Sequence, residues 1–124
     1  MVERPTVGAR GEATIRLADR DVTVLFTNRA MIEAERQMGR SVLSIVQGFS
    51  EGNVGFTEIS QLALVGMQAA RRDAREGGPP IKPDDAIAVM DEAGFSAVAA
   101  AVMEAVAAVL GYDRDAEDDA DPNA

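Results

Sequence analysis

Two periods divide the chain. From Glu12 the apolar positions alternate, with Ala13, Ile15 and Leu17 on one side and Thr14 and Arg16 on the other. That is the two-residue period of a half-buried strand. Asp19-Arg20-Asp21 reads as a turn, because Asp side chains bond backbone amides just ahead of them. The return strand places Val22, Val24 and Phe26 on one face, so a β-hairpin is predicted although its turn lacks Gly. After Thr27 the period lengthens to that of a helix. Met31, Ala34 and Met38 recur at i, i+3 and i+7, while Glu33, Glu35 and Arg36 take the outer face.

Punctuation residues separate the helices that follow. Thr27 or Asn28 caps the first, offering a side-chain oxygen to a first-turn amide. Gly39 ends it, since Gly takes the left-handed conformation without a Cβ penalty. Ser41 caps a second helix carrying Val42, Ile45, Val46 and Phe49, and "SEGNVG" is a loop. A third runs from Thr57 to about Glu76 on an inner stripe of Ile59, Leu62, Ala63, Gly66 and Ala70, and "GGPP" breaks it. Pro83 suits a first helical position, with Asp84 and Asp85 favourable beside the positive end of the dipole. This fourth helix carries Ile87 and Met90 and ends at Gly94. A last helix begins at Ser96, with Phe95, Val98, Val102, Val106 and Val109 as its stripe and Gly111 as its end. The predicted fold is α+β and mostly α: a hairpin, then about five helices. Its parts are a flexible arm over 1–11, one domain over 12–111 and a disordered acidic tail over 112–124.

Composition narrows the functional classes. The chain has 124 residues, no Cys and no His, so thiol chemistry, disulfides and imidazole catalysis are all excluded. Its net charge of −9 opposes binding to a phosphate backbone, and nucleic acid is not an expected partner. Over half of that charge lies in "YDRDAEDDADPNA", which has six acids and one Arg. No apolar run reaches the ~20 residues that span a bilayer, and "MVERPTVGARGE" has no signal-peptide core. A cytoplasmic protein with no membrane partner is expected.

Few residues invite a chemical reading. Asp113, Asp115 and Glu117 alternate like early calcium ligands, but Asp118 stands where the loop needs Gly and no bidentate Glu follows. Asp84-Asp85 and Asp91-Glu92 occupy a helix start and a helix surface, where acids are routine. Ser41 and Ser96 sit at caps without a base to activate them. "GFSEGNVGF" lacks the Gly-Lys-Ser/Thr ending of a phosphate loop. Neither an enzyme nor a cofactor is expected. Six Met residues are many for this length, and Met serves both irregular cores and adaptable binding surfaces.

The stretch "GEATIRLADRDVTVLFTNRAMIEAERQMGRSV" resembles the front of the tail assembly family of phages and gene transfer agents. The shared features are Gly-Glu before a first strand, a turn, a second strand and Thr-Asn at a helix start. A Glu-bearing helix then ends in Met-Gly-Arg-Ser. "VMDEAGFSAV" matches a later element, before an Ala- and Val-rich helix. The likeness covers residues 8–110, with Arg29 as a departure where a small or apolar residue is expected. The resemblance implies a small helical chaperone that binds the tape measure protein and/or the tail tube protein in the bacterial host cytoplasm. It implies no catalytic residues. The family has also been labelled a tail tube component, which is the first alternative; an acidic antitoxin-like regulator is the second. The hairpin must be covered by its own helices or completed by another chain, as in a homo-oligomer. Phe49, Phe56 and Met67, flanking the loop between the second and third helices, are the expected partner-binding residues.

Overall fold

The computed structural model describes residues 10–120, with side chains as far as Gly111. Strands β1 (Gly11–Arg16) and β2 (Asp21–Phe26) form an antiparallel hairpin, registering Ala13 against Val24 and Ile15 against Val22. Five helices follow: α1 (Asn28–Met38), α2 (Val42–Ser50), α3 (Phe56–Ala74), α4 (Pro83–Ala93) and α5 (Phe95–Ala120). The predicted mostly helical α+β architecture is therefore present. Most of the arm expected over 1–11 lies outside the described residues, but Arg10 and Gly11 are placed. Arg10 pairs with Asp73 at 3.0 Å, and Gly11 already opens β1. The last helix does not stop at Gly111; its backbone continues to Ala120. The side chains from Tyr112 onward, including the acids weighed for calcium, and residues 121–124 lie outside the described residues.

The hairpin is covered by its own helices. β1 lies along α5 and β2 along α3, while α3 also packs against α1, α4 and α5. Glycines set how closely these layers meet. A Cβ at Gly66 would stand 2.9 Å from both the Phe26 ring and Val24, and one at Gly11 would overlap the Ala105 carbonyl. Both positions let backbone approach what a side chain would hold away. Val24 and Phe26 are fully buried against this layer, and Leu25, pointing to the opposite face, is buried as well. The end of β2 that runs into α1 is thus enclosed on both faces, where strict alternation predicts one.

Helix ends follow the predicted chemistry. Thr27 Oγ1 accepts from the Ala30 amide at 3.1 Å, and Ser41 Oγ from the Ser44 amide at 3.0 Å. Gly39 takes φ 69°, and its amide donates to the Glu35 carbonyl. The Glu35 carboxylate then accepts from the Val42 amide at 2.8 Å, tying α1 to the start of α2. Arg29, the departure from the family pattern, is exposed and reaches Glu33 one turn later at 3.4 Å. The third helix starts one residue earlier than predicted, making Phe56 its first residue, and the last starts at Phe95 rather than Ser96.

The core is aliphatic. Ile59, Leu62, Val65, Val98, Val102 and Val106 are all fully buried, each worth about 1.5–3 kcal/mol of transfer free energy. No polar or charged side chain among the described residues is buried with them. The α3 stripe is broader than predicted: Leu64, Val65, Met67 and Ala69 are buried beside the expected residues. This helix is surrounded, so one face is not enough to describe it.

Candidate functional site: an apolar groove between three helices

Among the described residues, no group of three or more His, Cys, Asp or Glu is placed to hold a metal ion. What the surface does offer is exposed apolar area. Phe56 is 67% exposed and Ile87 47%, high values for large apolar side chains. Both line a groove of about 340 Å³ with Thr57, Ser60, Met90, Asp91 and Phe95. Its walls are the first two turns of α3, the outer face of α4 and the first residue of α5.

Local sequence explains why this groove is apolar. α4 has two apolar stripes, and the smaller residues take the inside. Ala86 and Val89 are buried, while Ile87 points outward and Met90 is half-buried. Reading Ile87 and Met90 as simply the apolar content of a short helix therefore misses the face they form. At the other wall, Phe56 and Phe95 are each the first residue of their helix. Their rings meet at a centroid distance of 4.4 Å and an interplanar angle of 41°. Tilted pairs of this kind place the positive edge of one ring toward the negative face of the other. The two rings form a shelf that side chains from a partner could rest on.

The α3 terminus beneath Phe56 is held by charge. Glu58 Oε1 accepts from the Gly55 amide at 3.0 Å, and its Oε2 pairs with Arg40 at 2.7 Å. The Gly55 hydrogen bond is the main cause that holds the Glu58 carboxyl below its ordinary value near 4.5; burial opposes it, and the Glu58 backbone amide and Arg40 add smaller lowering effects. Arg40 belongs to the Gly-Arg-Ser step after α1. That short motif therefore anchors the start of the helix that carries Phe56. Asp85 caps α4 by the same device, its carboxylate accepting from the Lys82 amide at 2.7 Å.

The three expected partner-binding residues do not share one surface. Phe56 stands at the centre of the groove. Phe49 is 37% exposed but does not line it. Met67 is only 8% exposed, eleven residues along α3, or about 16 Å at 1.5 Å per residue. It lies instead at the edge of a separate cleft of about 760 Å³ between β2, the end of α3 and α4. Its helix is enclosed on all sides there, which sequence distance from the loop could not reveal. That cleft mixes Arg20, Arg71 and Lys82 with Asp21, Asp73, Glu76 and Asp85, and several of these already pair locally.

Ile87, missed as a surface residue, had one signal in the sequence. α4 carries more apolar residues than a helix packed on one side needs, and its largest ones are not on the Ala86–Val89–Ala93 line. Comparison with protein-family models, with curated proteins and with solved structures finds no match to this chain. No single helix among the described residues is long and apolar enough to cross a membrane.

Proposed function

We propose that this chain is a tail assembly chaperone of a phage or gene transfer agent, binding the tape measure protein and/or the tail tube protein. The observation that carries this reading is the open apolar groove at Phe56, Ile87, Met90 and Phe95. At about 340 Å³ it is near the low end for ligand pockets, and it is partly open to solvent. A protein segment with a few apolar side chains suits it better than an enclosed small molecule. The resemblance over residues 8–110 supplies the class of client. A two-stranded sheet as the only sheet among the described residues favours a chaperone over a tube component, which would need far more strand.

The test is co-expression with the tape measure protein encoded by the same genome, followed by purification at high salt. A recovered complex and a more soluble client are expected, because apolar contacts survive screening. A client that aggregates equally with and without this chain, with no complex recovered, overturns the reading.

A further inference from the structure

We infer that the groove takes a basic amphipathic helix, whose apolar stripe lies on Phe56, Ile87, Met90 and Phe95 and whose Lys or Arg pairs with Asp91. This deepens the chaperone reading and rests on it for the natural partner. The form of the occupant follows from the walls. Every lining residue belongs to a helix, and two walls present neighbours at i, i+3 and i+4. No strand edge is offered, so an extended peptide finds no ladder to join, whereas a third helix can pack into the space between two.

The sign of its charge follows from the surroundings. Asp91 is the one ionised side chain in the lining, and it makes no ion pair among the described residues. Along α4, the first fifteen residues of α3 and residues 95–111 of α5, acids stand at 58, 84, 85, 91, 92 and 104 with no Lys or Arg. Among the described residues, only Glu58 and Glu92 of these are paired, with Arg40 and Arg20. The groove therefore opens into a negative field, which low ionic strength extends. A second copy of this chain would bring the same sign against it, so self-association through this face is disfavoured.

The probes are two peptides of about 18 residues, five helical turns, sharing one Leu stripe. One carries Lys on its polar face, the other Glu. With wild-type protein at about 10 mM salt, where the Debye length is ~30 Å, the Lys peptide should bind about tenfold tighter. Asp91→Lys should reduce that preference by roughly twofold to fivefold, the range of an exposed ion pair. Glu76→Gln, beyond the far end of α3 from Phe56 and outside the groove lining, should change it less. Phe56→Ala should weaken both peptides, and its exposure keeps the fold intact. Equal binding of the two peptides by wild type would overturn the inference. So would equal effects of the variants at 91 and 76, or a wild-type dimer that Phe56→Ala dissolves. Peptide binding without a tape measure complex would instead leave the groove standing and remove the chaperone reading.

Discussion

α3 and α4 pack against each other yet dispose their apolar residues in opposite ways. α3 turns Leu62, Val65 and Gly66 into the layer beneath the hairpin and is buried nearly all round over that stretch. α4 places Ala86 and Val89 inside and leaves Ile87 and Met90 toward the groove. Past its first turn α3 buries its large apolar side chains, whereas α4 buries Ala86 and Val89 and leaves the larger Ile87 exposed. The lesson is that an apolar residue on a helix identifies a contact but not its owner. The contact belongs to the chain's own core where another element covers it, and to a partner where none does.

The sharpest way to break this comparison is to charge the covered side. Val102, on α5 in the same core as α3, is fully buried, and Val102→Asp should unfold the protein. An unpaired buried carboxylate costs several kcal/mol against a total stability of roughly 5–15. Circular dichroism with thermal melting reads this directly, and a normally folded variant would mean that the stripe is open to a partner. Gly66→Val should be milder. Its added atoms meet Phe26 and Val24, and overpacking of this kind costs about 1–3 kcal/mol, seen as a lower urea midpoint.

Glu58→Ala tests how the groove wall is held. Losing the carboxylate that accepts from Gly55 should cost about 0.5–2 kcal/mol, the range for helix capping residues. The effect depends on pH with a definite sign. The folded carboxyl lies below its ordinary value near 4.5, so its contribution is present above that value and is lost as pH falls through the lowered one. The stability gap between wild type and Glu58→Ala should therefore close in acid. A gap that stays constant from neutral pH to pH ~3 would show that the carboxylate charge is not the cause.

On the uncovered side, Ile87→Ser should change stability by no more than about 0.5 kcal/mol, as exposed positions do. The same change should cost client binding more than about 1 kcal/mol if the groove is the docking face. Titration calorimetry beside a denaturant curve separates the two; a loss of stability larger than the loss of binding would assign Ile87 to the core. The smallest effect is expected from removing residues 113–124. Tyr112 is the last large apolar side chain in the sequence, so the melting temperature should move little. Solubility should fall instead, because a net −5 is removed.

The order and type of every element were legible in the sequence: a two-residue period before Thr27, a 3.6-residue period after it, and caps at Thr27, Ser41 and Gly39. These are local signals, decided by backbone geometry and by hydrogen bonds reaching only a few residues. Phe56 was legible as a surface residue because it sits beside a polar, Gly-rich loop. The burial of Met67, the exposure of Ile87 and the place of Phe95 were not legible, since each depends on which elements arrive from elsewhere in the chain. Tertiary structure buried Met67 by surrounding α3, and it turned Ile87 outward by seating Ala86 and Val89 where only small or medium side chains allow α4 close approach. It also carried Phe95 beside Phe56 across 39 positions of sequence. Periodicity reports that a face is apolar, but burial is a property of the pair of surfaces that meet, and the second surface lies far away along the chain.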